Sequence, residues 1–172
     1  KGKVICDPNV ILQFCPAGLV PHLGFGLLGG INGIISFKNQ NNNSFIQSMN
    51  DSLRHRGPDN SGIYNSNNVS MGHTRLSIID LSENANQPIY SKDKRYTLIF
   101  NGEIYNFKNL KKKLDYNFIS KSDSEVVLAA FLNWGENCLE HLNGMFAFAI
   151  WDSVKNELFL ARDRFGIKPL YY

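Results

Sequence analysis

Cysteine and histidine are scarce in this sequence, and neither is spaced as a disulfide framework or a metal site requires. The three cysteines are Cys6, Cys15 and Cys138, and no two of them form a paired metal-binding motif. The four histidines also lack the spacing of metal ligands. We therefore predict no metal site and a reducing, cytoplasmic location, because disulfides form and persist mainly in oxidising compartments.

Long apolar runs and an excess of charge are also absent. Residues 17–35 are apolar and rich in glycine, but Pro21 and His22 interrupt them, so no run is long enough to cross a membrane. The net charge is only +3 and no basic stripe is present. The densest basic cluster, Lys111 to Lys113, has leucine on both sides, which is typical of a solvated helix face. We expect neither membrane nor nucleic acid as a partner.

The first 31 residues differ from the rest of the chain. They show no clear hydrophobic period, and Pro8, Pro16 and Pro21 interrupt them. We interpret residues 1–31 as an extension or linker, with a non-native origin left open, and residues 32–172 as one domain. The chain begins with Lys1 rather than Met and ends within what reads as a strand, so we expect a C-terminally truncated piece of a longer protein.

Residues 32–172 alternate between strand and helix patterns. We predict a helix capped by Ser44, with Phe45, Met49 and Leu53 on its apolar face. Asn101-Gly102 is a turn dipeptide that would close a strand over 96–100. Ser122 and Glu125 have the spacing of a capping box. The other predicted elements are strands at 33–37, 62–64, 69–79, 145–151 and 157–162, and helices at 106–114, 122–134 and 138–142. This order predicts an α+β fold with mainly antiparallel sheets.

Five polar clusters are dense enough to indicate chemistry. Each one alone could be a turn, a helix cap or an ion pair. They are Arg54-His55-Arg56-Gly57-Pro58-Asp59-Asn60-Ser61-Gly62, Gly72-His73-Thr74-Arg75-Leu76-Ser77-Ile78-Ile79-Asp80, Asn101-Gly102-Glu103-Ile104-Tyr105-Asn106, Ser122-Asp123-Ser124-Glu125 and residues 161–172.

In this order and spacing the clusters resemble the N-terminal glutaminase domain of asparagine synthetases, a class II glutamine amidotransferase, over residues 31–172. The related sugar-phosphate and phosphoribosyl amidotransferases are less similar around 54–62 and 75–80. The resemblance implies a four-layer αββα sandwich of the Ntn-hydrolase type. It also implies hydrolysis of glutamine to glutamate and ammonia, with no cofactor in this domain. A separate C-terminal synthetase domain would activate aspartate with ATP and Mg. The oligomeric state stays open, with a homodimer as one alternative.

The resemblance also implies residue roles. An N-terminal cysteine is the nucleophile, and its own α-amine is the base. The Asn101 side chain and the Gly102 N–H would stabilise the oxyanion. Arg75 would bind the glutamine α-carboxylate, and Glu103 and Asp123 would accept from its α-amine and amide end. Backbone groups around Ile78 and Ile79 would line the pocket. Within the last cluster, Arg162, Asp163 and Arg164 are better explained as a structural ladder of ion pairs.

The sequence departs from the family at the nucleophile. The family strand begins Cys-Gly-Ile, and Asn32-Gly33-Ile34 is taken here in that register. Asn32 has no thiol, and 31 residues precede it. None of the three cysteines is placed to substitute for the missing thiol. We expect bound glutamine without hydrolysis. The alternatives are an inactive structural domain, as in β-lactam-synthetase-like proteins, or a first segment that is not native coding sequence.

Overall fold

The computed structural model describes residues 2–3, 11–14, 29–35 and 42–172. The strands are β1 (Gly2–Lys3), β2 (Ile11–Phe14), β3 (Gly30–Ile35), β4 (Asn60–Asn65), β5 (Val69–Arg75), β6 (Ile89–Tyr90), β7 (Tyr96–Ile104), β8 (Gly144–Asp152) and β9 (Glu157–Arg162). The helices are α1 (Asn43–Leu53), α2 (Phe107–Lys113), α3 (Asp123–Trp134) and α4 (Cys138–His141), with short 3₁₀ turns at Arg54–Arg56, Glu83–Ala85 and Gly135–Asn137.

The strands form two antiparallel sheets. One sheet has the order β1-β9-β8-β7-β6 and the other β2-β3-β5-β4. The longest pairing joins β7 to β8, from Tyr96 opposite Asp152 to Ile104 opposite Gly144. The sequence assigned no strand to the first 31 residues, yet β1 pairs with β9 and β2 with β3.

Strand alternation sorts the core into two layers. On β7, Leu98 and Phe100 face α3 and pack with its residues Val126 to Ala130. The residue between them, Ile99, faces the other way and packs against Ile31 of β3 and Met71 of β5. Ile46 and Leu53 of α1 are buried, and α1 covers the outer face of the second sheet. The predicted four-layer αββα sandwich is therefore confirmed.

The first helix differs from its prediction in both its start and its buried face. It begins at Asn43, so Ser44 lies inside the helix instead of capping it. Its buried residues are Ile46, Asn50 and Leu53, whereas Phe45 is 66% exposed. The spacing of apolar residues did not predict this face, because its central position is occupied by a polar residue, Asn50.

The Asn101-Gly102 dipeptide does not form a turn. Both residues lie inside β7, opposite Ala147 and Phe146 of β8. The nine-residue strand continues through them because β8 supplies a long, apolar antiparallel partner. Other boundaries also differ: β3 begins at Gly30 instead of Gly33, and β4 covers Asn60–Asn65 instead of 62–64. β5 ends at Arg75, before residues 76–79, and Tyr171 and Tyr172 are not in a strand.

The N-terminus of α3 is capped, but not by a capping box. Ser122 caps the helix by accepting a hydrogen bond from the Ser124 N–H, as predicted. The Glu125 carboxylate instead accepts from the N–H groups of Ile119 and Ser120 and from the Ser120 hydroxyl. It therefore holds the incoming loop against the helix. Gly135, at φ 58°, follows the last residue of α3.

The last cluster is not a ladder of ion pairs. The Asp163 carboxylate accepts from four backbone N–H groups, those of Phe146, Phe165, Ile167 and Lys168. Arg164 donates to the carbonyls of Leu139 and Leu142. Both side chains thus bond to main-chain groups. Elsewhere, α2, α4, β8 and β9 lie where the sequence predicts them. No helix in the described part of the chain is long and apolar enough to span a membrane.

Candidate functional site

A polar cleft opens between the two sheets, beside the N-terminus of α3. Every predicted site residue except Asn32 lines it. The lining residues are Gly29, His73, Arg75, Leu76, Ile78, Ile79, Asp80, Ala85, Gln87, Phe100, Asn101, Gly102, Glu103, Ser122, Asp123 and Ser124. Residues from three separate polar clusters of the sequence thus meet in one place.

Strand periodicity explains why these side chains converge. Asn101 lies two residues after Ile99, so it shares the face of β7 that looks toward the second sheet. His73 and Arg75 follow Met71 at even spacing and share the corresponding face of β5. Apolar residues of these two faces, such as Ile99 and Met71, form the core between the sheets. The polar residues Asn101, His73 and Arg75 lie further along the same strands, at the edge of that core.

Arg75 is buried and bonded to the loop that follows it. Its Nη1 donates to the Ser82 carbonyl at 3.0 Å and to the Asn86 Oδ1 at 2.6 Å, and its Nη2 donates to the Asp80 carbonyl. A guanidinium has five N–H donors. Within the described residues, these bonds leave two of the five available at the cleft.

The loop over residues 76–86 is also held by Asp80. Its Oδ1 accepts from the Ser82 N–H at 2.8 Å, and its Oδ2 accepts from the Lys121 N–H at 2.7 Å. These bonds, led by that from Lys121, lower the pKa of Asp80 to about 2. The loop places Ile78 and Ile79 at the edge of the cleft, where they are 58% and 39% exposed.

Asn101 and Gly102 form the part of the cleft closest to β8. Asn101 is buried, and its Oδ1 has no hydrogen-bond partner among the described residues. A Cβ at Gly102 would lie 2.2 Å from the Met145 carbonyl oxygen and 2.6 Å from the Phe146 Cα. Only glycine therefore lets β7 approach β8 this closely at the cleft.

Asp123 and Glu103 supply negative charge where β7 ends. Asp123 is buried, and its Oδ2 accepts from the Ile104 N–H at 2.9 Å. Burial raises the pKa of Asp123 to about 6, and the charge of Glu103 adds to the rise. A bound ammonium group would favour the ionised form of Asp123.

His73 is a cleft residue to which the sequence assigned no role. It is almost fully buried, and desolvation, with the charge of Arg75 as a second cause, lowers its pKa to about 3. The ring is therefore neutral, and its Nδ1 has no partner among the described residues. Because His73 lies two residues before Arg75 on a predicted strand, the sequence could have placed both side chains on the same face. Among the described residues, no group of three or more His, Cys, Asp or Glu side chains could hold a metal ion.

Comparison with known proteins decides the family. Residues 28–172 match the sequence model of the glutamine amidotransferase domain. The chain belongs to this family. The match covers most of the chain and includes every residue that lines the cleft.

The relatives of this glutamine amidotransferase domain are much longer proteins. It is 43% identical over 150 residues to asparagine synthetase [glutamine-hydrolyzing] 3 of Bacillus subtilis, covering 83% of this chain and 24% of that protein. It is 48% identical over 121 residues to asparagine synthetase B [glutamine-hydrolyzing] of Escherichia coli, covering 69% and 22%. The chain thus spans about a quarter of the length of the relatives it matches.

Among solved structures, the amidotransferase domain is similar to glutamine phosphoribosylpyrophosphate amidotransferase from Bacillus subtilis, solved in complex with ADP and GMP. The TM-score is 0.47 at 25% identity, over 56% of this chain and 23% of that one.

The structure corrects the placement of Asn32 in the amidotransferase domain. Asn32 is fully buried on the face of β3 toward α1, where its Nδ2 donates to the Asn50 Oδ1 at 2.7 Å. Asn50 in turn donates to the Ser61 Oγ and to the Gly62 carbonyl. Gly29 precedes Asn32 by three residues, and an odd spacing puts the two on opposite faces of a strand. Gly29, not Asn32, borders the cleft.

The one cysteine among the described residues, Cys138, does not line the cleft. Cys138 is buried in the core beneath α3, and burial raises the pKa of its thiol to about 12. Such a thiol is protonated and inert at neutral pH. Cys6 and Cys15 lie outside the described residues.

Proposed function

We propose that this domain binds glutamine in the cleft and does not hydrolyse it. The observation that carries the proposal is the composition of the cleft. A guanidinium, two carboxylates and the Asn101-Gly102 pair converge there, and no thiol is among the described residues that line it.

The charges of the cleft match the two ends of an α-amino acid. The two Arg75 N–H groups that have no partner within the described residues suit a bidentate bond to the α-carboxylate. Asp123 and Glu103 suit the α-ammonium group and the amide N–H₂. Asn101 and Gly102 would then face the amide carbonyl, and Ile78 and Ile79 would cover the aliphatic part of the ligand.

Hydrolysis needs a nucleophile and a base at the amide carbon. We assign the position of the family nucleophile to Gly29. Gly29-Gly30-Ile31 fits the Cys-Gly-Ile pattern as well as Asn32-Gly33-Ile34 does, and Gly29 also borders the cleft. Glycine offers no nucleophile. The hydroxyls of Ser122 and Ser124 bond to each other at the start of α3, and among the described residues neither is hydrogen-bonded to a carboxylate or an imidazole that could take its proton.

The relatives suggest the larger setting. Their names describe glutamine-hydrolysing asparagine synthetases that are about four times as long as the matched region. We infer that this domain serves a C-terminal synthetase domain that uses ATP and Mg to amidate aspartate. With the glutaminase step lost, that domain would take its nitrogen from free ammonia.

Isothermal titration calorimetry of the full chain with glutamine tests binding. We expect a Kd between about 1 µM and about 1 mM, the usual range for enzyme substrates. Asp123→Asn should weaken binding at least about tenfold, since it removes a charge that faces the ammonium group. Asp115→Asn removes the same charge from an exposed loop and should change nothing.

The two halves of the proposal fail in different ways. An absence of binding heat in the wild-type chain would favour the alternative, a structural domain without a ligand. Steady release of ammonia from glutamine would show that hydrolysis survives, and the assignment of Gly29 would be abandoned.

A further inference from the structure

The side chain of Gln87 acts as a strand partner for Phe100. Gln87 is buried, and its Oε1 accepts from the Phe100 N–H at 2.6 Å. Its Nε2 donates to the Phe100 carbonyl at 3.0 Å. One side-chain amide thus pairs with both backbone polar groups of one residue, as a neighbouring strand residue would.

The register of the sheet shows which pairing is replaced. β6 pairs with β7 at two positions, Ile89 opposite Leu98 and Tyr90 opposite Thr97. The same register, continued by two residues, puts Gln87 opposite Phe100. The main-chain ladder begins only at Ile89, and Pro88 has no N–H to donate. The side chain of Gln87 therefore extends the pairing of β7 to the position next to the cleft.

The main chain of Gln87 is itself firmly placed. A Cβ at Gly62 would lie 1.9 Å from the Gln87 carbonyl oxygen, so this stretch packs directly on β4. The preceding residue, Asn86, accepts a hydrogen bond from Arg75. The main chain of Gln87 thus packs on the sheet that contains β4, and its side chain bonds to β7 of the other sheet.

Phe100 directly precedes Asn101 and Gly102. One edge of β7 is paired with β8 through Phe100 and the cleft residues. On the other edge the main-chain pairing with β6 stops at Leu98, and Gln87 supplies the partner for Phe100. Phe100 is 3% exposed, and without Gln87 its N–H would be left unpaired and away from water, while its carbonyl, which also accepts from His73, would lose one donor. We propose that Gln87 is a positioning residue that holds Asn101 and Gly102 where they recognise the amide of glutamine. This inference rests on the proposed function.

The test compares two ligands in calorimetry on the full chain. Glutamine carries the side-chain amide, and norvaline is an unbranched amino acid without it. Gln87→Met should weaken glutamine binding about tenfold and leave norvaline binding within about twofold, because only the amide end of the cleft shifts. Gln47→Met makes the same change on the exposed face of α1 and should affect neither ligand. Equal losses for both ligands, or no loss, would overturn the proposal.

A second measurement needs no ligand. In ¹⁵N NMR spectra of the free chain, Gln87→Met should move the Gly102 N–H and Asn101 side-chain amide signals, whereas Gln47→Met should not. If the wild-type chain binds no glutamine but these signals move, the proposed function fails and the positioning role stands. If the signals stay unchanged, the positioning role is refuted whatever the chain binds.

Discussion

The pKa of Asp123 links the stability of the domain to its ligand. Burial raises this pKa from 3.8 to about 6. The folded state therefore binds a proton more tightly than the unfolded state, and the carboxyl group opposes folding once it ionises. Its contribution to stability is fully present below about pH 4 and is lost as pH rises through about 6.

The size of the effect follows from the two values. At 1.36 kcal/mol for each pH unit between them, the raised pKa of Asp123 lowers the free energy of unfolding by about 3 kcal/mol at pH 8 and by about 1 kcal/mol near pH 4.5. Asp123→Asn keeps an acceptor for the Ile104 N–H and removes the charge. We expect the variant to be more stable than wild type by up to about 3 kcal/mol at pH 8, with the difference shrinking by about 2 kcal/mol at pH 4.5.

Urea denaturation followed by tryptophan fluorescence measures this difference, with Trp134 and Trp151 as probes. Asp115→Asn, on the exposed loop after α2, is the matched control and should follow wild type at every pH. The same titration predicts that glutamine affinity of the wild type falls about tenfold between pH 8 and about pH 5, because the ammonium group needs an ionised partner. A stability difference between Asp123→Asn and wild type that stays constant across this range would refute the reasoning.

Three further changes test the fold and the site. Asn50→Ala removes the hydrogen-bond partner of Asn32, Ser61 and Gly62 and should lower the free energy of unfolding by about 3 kcal/mol. In the same urea titration Ser48→Ala, on the exposed face of α1, should lower it by less than about 0.5 kcal/mol. Gly102→Ala forces a methyl group against the Met145 carbonyl; we expect a loss of about 1–3 kcal/mol and of glutamine binding by calorimetry. A chain shortened to begin at residue 29 with Gly29→Cys should gain ammonia release at least about 10²-fold above a chain that begins at residue 32 with Asn32→Cys. Equal rates from these two folded chains would contradict the assignment of Gly29.

Local sequence patterns predicted those elements whose structure depends on neighbouring residues alone. Ser122 before an apolar run predicted the start of α3, and the hairpin of β8 and β9 followed from an apolar run, a turn and a second strand. The same reasoning was wrong at Asn101-Gly102, because a turn dipeptide carries no information about a distant partner. β8 lies more than forty residues further along the chain, and its pairing keeps β7 extended through both residues.

The order and spacing of the polar clusters indicated, without coordinates, the family, the four-layer fold and seven of the residues that meet at the cleft: Arg75, Ile78, Ile79, Asn101, Gly102, Glu103 and Asp123. Which side of a strand a residue faces was decided only by tertiary structure. Asn32 and Gly29 both precede a Gly-Ile pair, and only the packing of α1 on β3 shows that Asn32 bonds to Asn50 while Gly29 borders the cleft. The roles of Gln87 and Asp163 were hidden for the same reason, since each side chain bonds to backbone groups that only the folded chain brings near.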